Sequence, residues 1–310
     1  MVIEIKNLVK KYGDLTAIDD LNLEINEGEV FGLLGPNGSG KTTAINCILS
    51  LLKYDKGQIN VFGKEMTPTS YDIKQDIGVV MQNVAVFNEL SVYENIDYFC
   101  GLYITNKEER KKLVSEAIDF VGLCDFVKFV PKKLSGGLLR RLNIACGIAH
   151  KPKLIIFDEP TVAVDPQSRN SILEGIKGLN EGGATIIYTS HYMEEVEQIC
   201  TRIAIMDKGK VIASGTKDEL KDMFTHGEKI VLEAFNLNEQ QLKAISDISY
   251  VENAEYRDNI LTLHAKQGEH NLVKILDYLA TNKISYGKVY SEQPTLNDVF
   301  LELTGKALRD

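Results

Sequence analysis

Apolar and polar positions alternate from the first residues. Ile3 and Ile5 stand between polar neighbours, as do Leu21, Leu23 and Ile25, a period of two that predicts strands with one buried face. Lys10-Lys11-Tyr12-Gly13-Asp14 reads as a polar loop between them, and Glu27-Gly28-Glu29 as a turn. The pattern then changes to unbroken apolar runs: Val30-Phe31-Gly32-Leu33-Leu34, Ile77-Gly78-Val79-Val80, Leu154-Ile155-Ile156-Phe157 and Ala184-Thr185-Ile186-Ile187-Tyr188. Runs without a polar face are expected of strands covered on both sides. Leu113, Ala117, Phe120 and Val121 recur at helical spacing behind a charged start, which predicts a helix with these four on its buried stripe. Leu142, Ala145, Cys146 and Ala149 mark another helix, and Ile203-Ile205 with Val211-Ile212 flank Asp207-Lys208-Gly209-Lys210 as a hairpin.

From about residue 226 the elements shorten. Strands at 230–234, 250–256, 260–265 and 285–290 interleave with helices at 239–245 and 272–279 to predict a small βαββαβ domain. A last helix is begun by Pro294-Thr295, closed into a capping box by Asp298 and striped by Leu296, Val299, Phe300 and Leu303. The chain therefore divides into an α/β domain over 1–220 and an α+β domain over 226–310.

Chemistry concentrates at the ends of the apolar runs. Gly35-Pro36-Asn37-Gly38-Ser39-Gly40-Lys41-Thr42-Thr43 joins a strand to a helix and fits the phosphate-loop spacing. Its glycines let the backbone turn tightly with N–H groups facing one anion. A helix start contributes only about 0.3–1 kcal/mol toward an anion, so Lys41 supplies the full charge beside the β- and γ-phosphates and the Thr42 hydroxyl a Mg²⁺ ligand. The run 154–157 ends in Asp158-Glu159, and two acids at the end of a buried strand call for a cation. Asp158 suits Mg²⁺, and Glu159 suits deprotonation of an attacking water. Gln82 ends a buried strand and reads either as a metal or water contact or as a residue bonding its neighbours. His191 ends another, and reads as a structural histidine or a γ-phosphate contact. Ser135-Gly136-Gly137 opens a helix with a good cap and amides for a second phosphate. Tyr12 reads as a surface tyrosine or a platform for a purine.

Composition narrows the class. The 310 residues are 44% hydrophobic and 25% charged, with a formal net charge of −9, which argues against a broad grip on nucleic acid. Five scattered cysteines without close pairs argue against a disulfide frame and for a reducing compartment. No apolar stretch approaches the ~18 residues of a membrane span, and the first residues do not resemble a signal peptide.

In this order, the phosphate loop, Gln82, Leu134–Gly137, Asp158-Glu159 and His191 resemble the nucleotide-binding subunit of an ABC transporter over residues 1–220. The resemblance implies a P-loop NTPase of ABC type: a mixed sheet core, an antiparallel β subdomain and a helical subdomain at about 83–150. It implies ATP and Mg²⁺ as cofactors, with Tyr12 stacking on adenine, residues 35–43 on the phosphates, and Thr42, Gln82 and Asp158 around the metal. Glu159 becomes the general base, His191 the γ-phosphate switch and Gln82 the lid glutamine. Ser135-Gly136-Gly137 then acts in trans in a head-to-tail pair of copies, and Asp165 at the inter-subunit contact. His191–Glu197 and Gln293–Gly305 resemble the ABC-2 exporters of the daunorubicin-resistance and sodium-extrusion group. Those work with separate integral membrane permeases, at the cytoplasmic face of the membrane, and export drugs, antibiotics or other amphiphiles; the surface from Phe87 to Tyr98 would receive the permease. Leu138 departs from the usual signature amide, and Ala163-Val164 from the usual turn before Asp165. The alternative, an ABC ATPase working on a non-membrane complex, fits less well with one ATPase unit and no sustained heptads.

Overall fold

The early alternation folds as a hairpin. β1 (Ile3–Tyr12) pairs antiparallel with β2 (Leu15–Ile25), Ile3 opposite Ile25 and Ile5 opposite Leu23, and all four are buried. Lys10–Tyr12 are strand and not loop: Lys11 pairs with Thr16 and Tyr12 with Leu15 around a turn at Gly13 and Asp14. Gly13 has a φ of +58°, which glycine adopts without steric cost. This end of the hairpin reaches solvent, with Tyr12 50% and Leu15 66% exposed, so no alternation marks it.

The structure, a computed structural model, describes residues 1–162, 164–223, 229–266, 271–292 and 295–305. Ala163, Gln293, Pro294 and the expected domain start at 226 lie outside the described residues. β3 (Val30–Leu34) leads through the phosphate loop into α1 (Lys41–Ile48), followed by β4 (Lys56–Val61), β5 (Lys64–Glu65), α2 (Tyr71–Lys74) and β6 (Ile77–Val80). Then come α3 (Val92–Gly101), α4 (Lys107–Phe120), α5 (Gly136–Ile148), β7 (Leu154–Asp158), α6 (Pro166–Glu181) and β8 (Thr185–Thr189). The unit closes with α7 (Met193–Ile199), β9 (Arg202–Asp207) and β10 (Lys210–Gly215), and α8 (Lys217–Asp222) follows.

These strands form two sheets, one ordered β2-β1-β4-β5 and one β10-β9-β3-β8-β7-β6. In the second, β6 through β9 run parallel with β3 and β10 joins antiparallel. Every residue of β3, β7 and β8 is buried, which explains their lack of a polar face. Helix α1 shares one core with both sheets: Ile3, Leu8 and Ile59 from the first, Ala44, Ile45 and Ile48 from the helix, Phe31, Ile156 and Ile187 from the second. Because β3, β7 and β8 are parallel, their carboxyl ends deliver the loops that follow to one edge.

Two further expectations need correcting. β6 ends at Val80 and β8 at Thr189, so Gln82 and His191 lie in the loops beyond these strands. On α4 the buried positions are Val114, Ala117 and Ile118, with Val121 just past the end. Leu113 is only partly buried and Phe120 is 40% exposed, because the helix turns Val114 and Ile118 toward its neighbours α3 and α5.

The chain divides after Lys217 into two compact units. In the second, β11 (Lys229–Phe235), α9 (Glu239–Ser246), β12 (Val251–Arg257), β13 (Ile260–Ala265), α10 (Asn271–Thr281) and β14 (Ser285–Glu292) follow in βαββαβ order before α11 (Leu296–Thr304). Its antiparallel sheet, ordered β12-β13-β11-β14, packs Ile230, Leu232, Leu261 and Leu263 against Ile245, Ile275 and Leu279 of the helices. Thr295 and Asp298 cap α11 reciprocally. Among the described residues no helix is long and apolar enough to cross a membrane.

Asn95 pins the start of α3. Fully buried, it accepts from the Phe87 N–H at 2.7 Å, and its amide nitrogen lies 3.0 Å from the carbonyls of Phe87, Leu90 and Ser91. Asn95→Ala should lower the free energy of unfolding in urea by about 1–3 kcal/mol, the cost of leaving buried groups unpaired; an unchanged midpoint would contradict this anchoring role.

Candidate functional site

The loop from Gly35 to Gly40 is held in shape by glycine sterics and by its neighbours. Gly40 has a φ of +108°, and a Cβ there would come 2.7 Å from the Ala17 carbonyl oxygen, so only glycine fits. The Ser39 carbonyl accepts from the Gly209 N–H at 2.9 Å, and the Asp19 N–H donates to the Gly209 carbonyl at 3.0 Å, bracing the loop with the β9–β10 turn and β2. Lys41, the first residue of α1, is 8% exposed. Its ammonium donates to the carbonyls of Gly35 at 2.7 Å and Pro36 at 3.2 Å. Burial pushes its pKa down, and the neighbouring Glu159 and Asp158 carboxylates act in the opposite direction.

Asp158, 4% exposed, ends β7 and accepts from the Thr189 hydroxyl at 2.7 Å. Glu159 has a φ of +51°, unusual for a residue with a side chain and of a kind found at functional sites. Its N–H is directed at the Thr189 hydroxyl at 3.0 Å and the Thr189 carbonyl at 3.2 Å, so one residue of β8 steadies both acids. The Glu159 carboxylate accepts from the Gln82 amide at 2.7 Å, and His191 Nδ1 lies 3.0 Å from its other oxygen.

These groups border an open cleft of about 550 Å³. It brings together Tyr12, Asn37, Gly38, Ser39, Gly40, Lys41, Thr42, Thr43, Gln82, Glu159 and His191, with Leu15, Thr16, Ala17 and Lys208 completing its wall. Gly35 and Pro36 touch it through Lys41, and Asp158 shares Thr189 with Glu159. Ser135, Gly136 and Gly137 are not among its lining residues. They begin α5, where Ser135 Oγ accepts from the Leu138 N–H at 3.3 Å. A Cβ on Gly137 would come 2.6 Å from Ser168 Oγ, close to Asp165, which caps α6 by accepting from the Ser168 N–H at 2.9 Å.

Thr42, Gln82 and Asp158 offer a hydroxyl, an amide oxygen and a carboxylate, hard donors suited to Mg²⁺ but too few for its six-coordinate shell. Among the described residues no group of three or more His, Cys, Asp and Glu can hold a metal. The donor set thus fits an ion that arrives with phosphate oxygens, and fits a resident metal poorly.

Thr189 and Glu195 escape sequence reasoning. Glu195, 2% exposed on α7, accepts from the hydroxyls of Thr161 at 2.9 Å, Tyr188 at 2.7 Å and Ser190 at 2.6 Å. It thereby ties the segment after Glu159 to the segment before His191. Thr161 and Ser190 lie just beyond the ends of β7 and β8 and Tyr188 within β8, and such hydroxyls carry no mark of a shared acceptor in the sequence.

Two family descriptions match the sequence: ABC transporter over residues 18–162, and ATP-binding protein DrrA1-3-like, C-terminal domain, over residues 215–304. The linearmycin resistance ATP-binding protein LnrL of Bacillus subtilis (strain 168) is 40% identical over 311 aligned residues, covering 100% of both chains. The daunorubicin resistance ATP-binding protein DrrA3 of Streptomyces coeruleorubidus is 33% identical over 96% of this chain and 93% of its own. Among solved structures, the dimeric post-hydrolysis state of the ATP-binding cassette MJ0796 bound to ADP and Pi matches with a TM-score of 0.63 and 29% identity, over 69% of this chain and 98% of that one.

Thr189→Val keeps the side-chain shape and deletes the hydroxyl that serves Asp158 and Glu159. It should lower stability to urea by about 1–3 kcal/mol; a variant as stable as the unaltered chain would show that the two acids do not depend on it.

Proposed function

The chain belongs to the ABC transporter family of ATP-binding subunits and is an ATPase of that class, and from this premise we propose that it hydrolyses MgATP to drive export through separate permease chains of ABC-2 type. The observation that carries the catalytic part is the convergence of Gln82 and His191 on the Glu159 carboxylate, at the border of a cleft floored by the phosphate loop. In this reading Tyr12 stacks on the adenine, and the amides of residues 35–43 with the Lys41 ammonium receive the phosphates. Thr42, Gln82 and Asp158 would hold Mg²⁺, which when bound neutralises charge on the phosphate oxygens. Glu159 takes the proton of the attacking water. His191 orients that carboxylate and meets the γ-phosphate, while Gln82 holds the opposite carboxylate oxygen.

Ser135, Gly136 and Gly137 act on the nucleotide of a second copy, with Asp165 beside them at the same contact. Their absence from their own chain's cleft supports this, as does the dimeric form of the related MJ0796 cassette. Leu138 costs the signature one side-chain polar contact but not its backbone amide, which Ser135 engages. An export role, for an antibiotic or similar amphiphile, is supported by the resistance proteins that share the whole length of the chain. The permease would hold the subunit at the cytoplasmic face of the membrane. Its docking surface would include Phe87 and Tyr98, 42% and 47% exposed with ring centroids 4.9 Å apart.

Glu159→Gln should bind ATP, turn it over some 10²- to 10⁴-fold more slowly, as expected for loss of a general base, and accumulate as a dimer in size-exclusion chromatography with ATP. Unaltered steady-state turnover would refute the assigned base. Lys41→Ala should raise the ATP dissociation constant by roughly 10- to 100-fold, the loss of a charge-assisted contact; calorimetry giving an unchanged constant would remove Lys41 from the phosphate site.

A further inference from the structure

Arg140 lies one turn into α5 and is 6% exposed. Buried guanidinium groups ordinarily face a carboxylate, yet among the described residues Arg140 forms no ion pair. Its Nη1 instead donates to two backbone carbonyls, Gln82 at 2.7 Å and Met81 at 3.2 Å, and burial lowers its pKa. Asn143, three residues along the same helix and 5% exposed, holds the same segment farther on. Its Oδ1 accepts from the Ala85 N–H at 3.0 Å, and its amide nitrogen lies 3.4 Å from the Met81 carbonyl. Two side chains of one helix therefore grip the backbone of residues 81–85.

The helix is seated as closely on the strand that precedes this loop. A Cβ on Gly78 would come 2.5 Å from the Gly147 carbonyl oxygen, and a Cβ on Gly147 would come 2.7 Å from Val80 Cγ2. α5, β6 and the loop after it are joined at both ends of the helix. The Gln82 side chain leaves that loop to donate to Glu159 at 2.7 Å.

We propose that Arg140 is a positioning residue that sets Gln82 against Glu159, and that through it the helix begun by Ser135-Gly136-Gly137 controls the lid glutamine of its own chain. The second half rests on the trans role given to those three residues above. One nitrogen, Nη1, donates to two successive carbonyls, as the Lys41 ammonium does in the phosphate loop, and this fixes the direction of the peptide that carries the Gln82 side chain. Engagement of the first turn of α5 by a second copy's nucleotide would be felt at Gln82 without any movement of the phosphate loop.

The test uses the full chain in four forms: Arg140→Met, Arg140→Lys, Gln82→Ala and the double variant Arg140→Met/Gln82→Ala. If Arg140 acts through Gln82, Arg140→Met lowers kcat by about 10- to 100-fold, the scale of a misplaced catalytic group, with the ATP dissociation constant within about twofold of the unaltered chain. The double variant is then no slower than Gln82→Ala alone, and Arg140→Lys recovers much of the loss. Multiplying effects in the double variant, or an Arg140→Met enzyme with normal turnover, would overturn the proposal. Hydrogen exchange gives a readout independent of catalysis: in Arg140→Met, amides of 81–87 exchange faster while those of the phosphate loop and β7 do not change. Unaltered exchange at 81–87 overturns the hold on the loop. Absence of turnover in the unaltered chain would sink the ATPase reading instead, and the exchange experiment alone would then decide the hold of Arg140 on this loop.

Discussion

The ammonium of Lys41 and the carboxylates of Asp158 and Glu159 are each more than nine-tenths buried and act on one another across the base of the cleft. Each charge removed from water costs several kcal/mol unless it is paired or hydrogen-bonded, so the surrounding fold is arranged around satisfying them. Thr189 gives a hydroxyl to Asp158 and receives the Glu159 N–H; Gln82 and His191 take the Glu159 oxygens; two loop carbonyls take the lysine. Parallel strands that end together bring such partners to one edge, and β3, β7 and β8 do so. The helix following β3 begins with the lysine itself, so its first amides face the same region as the charge.

Around that center, two sets of buried hydrogen bonds hold the segments that carry Gln82 and His191. Glu195 binds three hydroxyls from the segments that follow Glu159 and precede His191, and Arg140 with Asn143 binds the loop carrying Gln82. Both side chains on Glu159 thus adjoin segments held by residues that do not line the cleft.

Much of the fold was legible because burial leaves a local record. The apolar runs of β3, β7 and β8, and the contiguous loop from Gly35 to Thr43, carry their meaning in adjacent residues. Lys10–Tyr12 misled because a strand end wet on both faces has no alternation, and Phe120 because a helical stripe can shift by one position without altering its spacing. The convergence on Glu159 is hidden for another reason: Gln82 and His191 lie 77 and 32 residues away, and only strand register makes them neighbours. Thr189 is opposite Asp158 in that register, but a hydroxyl at a strand end looks the same whether or not it serves an acid pair. Arg140 forms no ion pair among the described residues, and an arginine that bonds backbone carbonyls leaves no partner to be found in the sequence.

The central claim is that this buried constellation exists to receive a triphosphate together with a divalent ion. Isothermal titration of the unaltered chain with ATP, with and without Mg²⁺, tests it most directly. Saturable binding whose affinity or heat depends on Mg²⁺ is the expected result, since Mg²⁺ would be shared between the phosphate oxygens and the proposed donors Thr42, Gln82 and Asp158. No saturable heat up to millimolar nucleotide, in the presence of Mg²⁺, would contradict it.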